Sequence, residues 1–413
     1  MATLIVPDIE MPPHYSLAMA LRRTGHRIVT TGATELSNGS FGPLHRHYRL
    51  PGEALAGTMS QAARAERSSA ALAEIVEREG AGFGLCGTDR HLRMMLAAAA
   101  GMAGFRVCAP SITTIDVLGS KVRARRHFQA HGLPVPGGRS YDVREDIEID
   151  GDGLDYPVVF KRDKSEGSSG VALVKNKPEL AQQIQKALLL DQDFIIEDFL
   201  GETREISHQF FIADGSWHPV YSLEKLAHFR TSYSTSVRQL SLEEERQRFA
   251  PMAQALAGAL SDGFYSAQFK ETVAGELRLI EISARPGSNF RIVTRILPEL
   301  GPCIVAFYAG DPDWSDLLSR MRARPARHGV SVVEDALARL QRARIARAQR
   351  LPRPYLTEIA AALRLVGNRP IVDDYWVGLW RTPRLSIAYY RNFLQAWRQH
   401  ADSHRAVLGM VSR

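Results

Sequence analysis

Apolar positions in the first part of the chain follow two alternating rhythms. Short continuous runs such as "TLIVP" (residues 3–7) and "HRIVTTG" (26–32) suit strands buried on both faces. Between them, "YSLAMALRRTG" has helical spacing and stops at Gly25. The same alternation continues with a long helix around "SSAALAEIVEREG", a strand at "GFGLCGT", a helix at "HLRMMLAAAAGMAG" and a strand at "FRVCAPS". Strands that alternate with helices predict a parallel sheet covered by helices.

Near residue 113 the rhythm changes. "LGSKVRARRHFQAHGLPVPG" predicts a helix with Ser120 as N-cap, stopped by Gly132 and then Pro134. Period-two patterns follow in "YPVVFK", "GVALVK" and "QDFIIEDFL". Two hairpins come next, one turning at Asp214-Gly215 and the other at Ala274-Gly275. After about Asp313 the strands are expected to fade. "VVEDALARLQRARIARAQRLPRP" predicts a basic helix ended by Pro352 and Pro354, and the segment after it alternates Arg with Trp376, Trp380, Tyr389, Tyr390, Phe393 and Trp397. The expected division is therefore 1–113, 114–313 and 314–413.

At 413 residues the chain has room for two or three domains. No apolar run approaches the ~20 residues that span a bilayer. "MATLIVPDIEMPPHYS" has no basic stretch ahead of an apolar one, so no signal peptide is expected. Cys86, Cys108 and Cys303 lack metal or disulfide spacing, which fits a reduced, cytoplasmic setting. The net charge of +7 is uneven: from Asp316 onward the balance is +11, while the rest of the chain carries −4. High overall basicity therefore gives no argument for nucleic-acid binding. The basic tail suits packing on the protein's own body through long Arg stems; peripheral contact with an anionic membrane is the less favoured reading.

Candidate chemistry concentrates in "PVVFKRDKSEGSSGVALVK" (157–175). A lysine ends an apolar strand, a Gly/Ser loop follows, and "VALV" returns as a strand. Backbone N–H groups of such a loop can wrap phosphates, with the lysine adding charge. The Walker order is reversed, since its Lys follows the glycines and opens a helix. The alternatives are a surface hairpin and a different nucleotide clamp. Lys121 falls in the first turn of its helix, where the dipole disfavours a cation unless an anion is near. Glu281 alternates with Ile280 and Ile282 and so points away from the core. No GxGxxG follows the first strand, and Asp89, past "GFGLCGT", reads as a solvated loop residue at the ligand-binding end of the sheet.

In order, Lys121, "VVFK…EGSSGV", "IIEDFLGETREIS" and "LIEISARPG" resemble the ATP-grasp superfamily over roughly residues 1–310. The resemblance implies an α/β and α+β protein. A parallel-sheet N-terminal (pre-ATP-grasp) domain precedes a two-subdomain ATP-grasp fold, divided at 114–200 and 201–313, and a helical basic C-terminal region. It implies that Lys121 and Lys161 neutralise ATP phosphates and that Ser168, Ser169 and Gly170 form the mobile loop over them. Glu197, Asp198 and Leu200 match the hinge that reads adenine, largely through backbone groups, and Glu205 matches the acid on the ribose.

The metal positions depart from the family. Glu281 is in place, but Ser283 stands where Asn is expected and Gln268 where a carboxylate is expected. Parity sets Glu271 on the face opposite Gln268, while Lys270 shares that face. The implied cofactors are ATP and Mg²⁺, with Mn²⁺ open. The implied reaction is an ADP-forming ligation of a small carboxylate to an amine through an acyl phosphate, with Arg285 stabilising the charge that develops. Asn289 and Arg291 are substrate candidates; a surface salt bridge is an equal reading for Arg291. Two alternatives remain: an ATP-binding protein impaired by Gln268 and Ser283, and a kinase- or carboxylase-type relative. Homo-oligomerisation stays open.

Overall fold

The apolar runs of the N-terminal segment build a five-stranded, all-parallel sheet of order β3-β2-β1-β4-β5. Its elements are β1 (Thr3–Val6), α1 (Pro12–Leu21), β2 (Arg27–Gly32), β3 (His45–Arg49), α2 (Gln61–Glu79), β4 (Phe83–Gly84), α3 (Asp89–Ala99) and β5 (Arg106–Val107). Leu4, Ile5 and Val6 are fully buried, as the continuous run requires. These coordinates form a computed structural model that describes residues 2–9, 12–21, 25–32, 44–50, 61–145, 151, 153–164, 170–201, 203–229, 233–287, 290–330 and 371–372. The described residues fall into two compact units. The first comprises Met1–Ala109, Leu226–Gln239 and Arg285–Arg413; the second comprises Pro110–Lys225 and Leu240–Ala284.

Several boundaries differ from the sequence expectation for local reasons. α1 starts at Pro12, a residue suited to the first turn because its missing N–H needs no partner there. α2 begins at Gln61, and "QAARAER" is made largely of strong helix formers. β4 is only two residues long because the chain reaches Thr88, the N-cap of α3, almost at once.

The second unit begins with α4 (Ile112–Leu118) and α5 (Lys121–Ala130), the latter N-capped by Ser120 as expected. β6 (Gly138–Tyr141), β7 (Val158–Arg162), β8 (Val171–Val174), α6 (Lys177–Leu189) and β9 (Phe194–Asp198) then form an antiparallel sheet of order β6-β9-β7-β8. Alternate apolar residues Val158, Phe160, Phe194 and Ile196 pack with Leu180 and Ala187 of α6. β10 (Glu205–Ala213) and β11 (Ser216–Phe229) form the first hairpin. Its turn residues Asp214 and Gly215 both have positive φ, as a two-residue hairpin loop demands.

The chain contributes β12 (Tyr233–Gln239) to the first unit, then returns through α7 (Leu242–Phe249), α8 (Ala253–Ala259), β13 (Gly263–Glu271) and β14 (Leu277–Ser283). β14, β13, β10 and β11 are antiparallel neighbours in that order. In the second hairpin Gly275 takes φ 85° inside a five-residue connection closed by the Thr272 N–H to Glu276 carbonyl bond.

The first unit is completed by α9 (Phe290–Ile296), α10 (Leu300–Ala309), α11 (Trp314–Arg322), β15 (His328–Val330) and β16 (Ile371–Val372). β15 pairs antiparallel with β12 and parallel with β16. The expected loss of strands after Asp313 is thus corrected. "HGV" and "IV" are too short to carry a period of their own, and backbone pairing makes them strands. The expected basic helix and the Arg/aromatic segment lie outside the described residues.

Gly138 shows how tightly β6 meets β9. It has φ 119°, and a Cβ there would stand 2.1 Å from the Ile196 carbonyl oxygen. Gly138→Ala is expected to destabilise the second unit by roughly 2–3 kcal/mol, measured by urea unfolding, because both backbone strain and a backbone clash arise.

Candidate active site

Both sequence-selected lysines of the second unit are tethered at the end of β7. Lys121 opens α5, and its Nζ donates to the Asp163 carbonyl at 3.1 Å. The Asp163 carboxylate accepts from the Ser120 hydroxyl at 2.8 Å and from the Val122 N–H at 2.9 Å. A buried anion therefore sits at the N-terminus of α5, where the helix dipole favours it. That anion answers the unfavourable placement of Lys121 in the first turn. Asp163 also lies two residues beyond Lys161, so one side chain and its own carbonyl join helix to strand.

Lys161 pairs with Glu197 of β9, and Arg125 of α5 donates to the same carboxylate at 2.9 Å. Arg125 also donates to the carbonyls of Pro136 at 2.6 Å and Gly138 at 3.1 Å. All three charged side chains are at most 10 % exposed. Removing Glu197 would leave two buried cations without compensation, a change that costs several kcal/mol. At the strand end, the Asp198 N–H donates to Gly137 at 3.1 Å, so this backbone donor is already used. The Asp198 side chain is exposed, and the Leu200 carbonyl accepts from the Thr203 hydroxyl at 3.4 Å. Gly170 precedes β8 and its carbonyl accepts from the Arg162 N–H at 2.9 Å. Ser168 and Ser169 lie outside the described residues.

On the β13–β14 hairpin, Gln268 and Glu281 are direct cross-strand partners. The Gln268 amide nitrogen donates to Glu281 at 2.7 Å, and its oxygen accepts from Lys225 at 3.2 Å. Lys225 also pairs with Glu205 at the start of β10. The polar chain Glu205–Lys225–Gln268–Glu281 is thus continuous. A register shift beside Gln268 leaves Ile280 without a partner on β13, so Glu281 points outward through a bulge rather than by simple alternation. Glu271 instead meets Arg204 and Arg248, while Lys270 lies over the Phe199 ring. Ser283 is half-buried opposite Ser266.

Among the described residues no cluster of three or more His, Cys, Asp or Glu could hold a metal alone. Glu281, Gln268 and Ser283 are all oxygen donors, with one exposed carboxylate. Such a set fits a magnesium ion held chiefly by nucleotide phosphates, since Mg²⁺ uses few protein carboxylates.

Arg285 belongs to the first unit. Its Nε and Nη2 donate to the two oxygens of Asp89 at 3.1 and 2.8 Å, and Nη1 donates to the Pro286 carbonyl at 3.2 Å. Asp89 is therefore no solvated loop residue: it is the first residue of α3 and one half of a bidentate ion pair. Burial acts to raise its pKa, but Arg285, then Arg93 and its own backbone amide, outweigh burial and hold it below the usual value. Nearby, His91 takes Thr88 on one ring nitrogen at 2.6 Å and Asp8 on the other at 3.1 Å. His14 stacks edge-on against His91, and its pKa falls to about 3, chiefly through burial and then through His91. Asn289 lies outside the described residues, as does the side chain of Arg291; the backbone of Arg291 is in α9.

Residues 140–288 match the family model for the C-terminal part of D-ala D-ala ligase. A D-alanine–D-alanine ligase from Geobacter sulfurreducens is 27 % identical over 190 residues, covering 44 % of this chain and 58 % of the relative. The chain thus spans little more than half the length of that relative. Among solved structures, the L-amino acid ligase from Bacillus licheniformis aligns with a TM-score of 0.59 at 16 % identity, covering 79 % of this chain and 78 % of that one. The biotin carboxylase domain of the Hydrogenobacter thermophilus 2-oxoglutarate carboxylase, solved with MgADP and bicarbonate, also gives 0.59 at 15 % identity, covering 75 % and 69 %. These structural likenesses establish the fold. The chain has the ATP-grasp fold, and its residues 140–288 resemble the D-ala D-ala ligase family.

Within this fold, sequence reasoning passed over Asp163, Arg125 and Lys225. Lys225 has a readable signal: it shares strand parity with the buried Tyr221 and Leu223, so it points inward. Asp163 and Arg125 have none, because their partners are distant in the chain. Replacing Asp163 by Ala removes the second cap of α5 and leaves a buried N–H and hydroxyl short of an acceptor. The expected loss is about 2–3 kcal/mol in urea unfolding. ATP binding should weaken as well, read by calorimetry, because the side-chain bonds that hold the helix start, and with it Lys121, against the residue 163 carbonyl are lost.

Proposed function

We propose that this protein joins a carboxylate to an amine at the expense of ATP, releasing ADP and phosphate. The observation that carries this reading is the tethering of Lys121 and Lys161 to one strand end, β7, within the ATP-grasp fold. Two ammonium groups there suit the phosphates of ATP. Glu197, Asp198 and Leu200 line the strand end assigned to adenine, and Glu205 is the ribose acid. Ser168, Ser169 and Gly170 supply the covering loop. A magnesium ion bound with the nucleotide would take Glu281, Gln268 and Ser283 on the protein side and neutralise charge on the terminal phosphates.

In the first step a carboxylate oxygen attacks the γ-phosphorus, the bond to the β-phosphate oxygen breaks, and ADP leaves. In the second the amine attacks the acyl carbon, phosphate leaves with the bonding pair, and the nitrogen loses a proton. Lys121 and Lys161 hold the phosphates in line, which is mostly a matter of positioning. Arg285 meets the negative charge that grows on the acyl oxygen. Asn289 and Arg291 are assigned to the substrate carboxylate. A panel of amino acids and small acids, with hydroxylamine as the amine, is expected to give hydroxamate and ADP in equal amounts. Arg285→Ala should lower kcat far more than ATP affinity. AMP as product would overturn the reading.

One observation favours an impaired nucleotide-binding protein instead. Gln268 stands between Lys225 and Glu281, so the metal position has a neutral amide where a second carboxylate would add charge. Gln268→Glu is expected to tighten Mg²⁺ binding to the ATP complex in calorimetric titration, and Glu281→Gln to weaken it. If the wild-type protein binds ATP yet turns over with no acid in the panel, and Gln268→Glu restores turnover, the impaired reading holds.

A further inference from the structure

Arg285 is an exposed-loop arginine by sequence, set between Ala284 and Pro286, yet all three of its guanidinium nitrogens have named acceptors. The dominant one is Asp89, 196 residues earlier in the chain. A planar guanidinium has a rigid fork of donors, and a carboxylate that takes two of them fixes both direction and plane. Asp89 is itself immobilised. It occupies the first turn of α3, where the helix dipole favours an anion. Its neighbour Thr88 caps the helix by accepting from the His91 N–H and also meets the His91 ring at 2.6 Å. The opposite nitrogen of that ring reaches Asp8, in the loop after β1. A run of contacts therefore leads from the end of β1, through α3, to one arginine.

We propose that Asp89 is a positioning residue for Arg285, holding its guanidinium in one orientation before substrates arrive. The proposal deepens the ligase reading and rests on it for the role of Arg285. A long arginine side chain left free would lose rotamer entropy in reaching the transition state, and an arginine already fixed does not. Asp89 makes no contact with substrate in this scheme and acts only through Arg285.

The test uses the full chain and four variants: Asp89→Asn, Asp89→Glu, Arg285→Ala and the double variant Asp89→Asn/Arg285→Ala. The first readout needs no activity: phenylglyoxal modification of Arg285, followed by peptide mass spectrometry. Asp89→Asn is expected to accelerate modification several-fold and Asp89→Glu to restore most of the protection. Equal rates in wild type and Asp89→Asn overturn the proposal. The second readout is ADP release with the amino-acid panel and hydroxylamine. Arg285→Ala is expected to lose roughly 10²-fold or more in kcat and Asp89→Asn roughly tenfold, with the KM for ATP unchanged in both. The double variant should be no slower than Arg285→Ala alone, because the two residues act as one unit. Additive losses, or a fall in thermal stability that tracks the fall in kcat, would mean that Asp89 only supports α3, and would overturn the proposal. If Arg285→Ala is fully active, the ligase reading of Arg285 fails and this proposal falls with it. If Arg285→Ala is impaired while Asp89→Asn matches wild type, this proposal alone fails.

Discussion

Cations meant for a polyanion must be held near one another before that polyanion arrives to neutralise them. Unpaired, they repel, and partly buried ones lose hydration that nothing replaces. In the second unit, the cations around the proposed nucleotide site each have a carboxylate or carbonyl partner. Asp163 serves Lys121, Glu197 serves Lys161 together with Arg125, and Glu205 serves Lys225; within the first unit, taken by itself, Asp89 pairs with Arg285. The backbone follows from these pairs. β7 must end beside the N-terminus of α5 so that Asp163 can cap it, and β6 must approach β9 closely enough for the Gly138 carbonyl to meet Arg125.

Such pairs also set the terms on which a nucleotide binds. A lysine ammonium has three donors, so Lys161 can keep Glu197 and still turn a second donor to a phosphate oxygen. Lys121 spends one donor on the Asp163 carbonyl, which fixes the direction of its ammonium. The two lysines therefore meet different partners at this strand end, a buried carboxylate for Lys161 and a backbone carbonyl for Lys121. A clamp of this kind is ordered before a nucleotide arrives, and ordering ahead of binding is what reduces the entropic cost of holding ATP.

Much of this was legible in the sequence, and the misses have physical causes. The hairpin turn at Asp214-Gly215 was readable because positive φ at both positions narrows the choice of residues. Ser120 was readable as a cap because capping is local. β3 was not, because "HRHYR" is polar at nearly every position and is a strand only through its pairing with β2. Parity placed Glu281 on the outward face, and the residue is exposed, but the bulge at Ile280 that sets its direction is a property of two strands together. Asp89 was misread for the same reason. Its environment is made by Arg285, far along the chain, and no window of sequence contains both.

The hairpin position proposed for the metal shows how one residue's chemistry propagates. In a β-ladder, a residue's neighbours across the strands are fixed by register, so Gln268 must face Glu281 on one side while Lys225 approaches from the other. A carboxylate at 268 would place two like charges side by side, a pair that needs a cation between them to be stable. An amide removes that need, since it donates to Glu281 and accepts from Lys225 in the same plane. The hairpin is thereby stable without metal. A metal at the proposed position could take the other oxygen of Glu281, but to gain the Gln268 oxygen it would have to compete with Lys225. Affinity at that proposed position would then depend on the nucleotide phosphates more than on the protein, so metal and ATP should enter as one species.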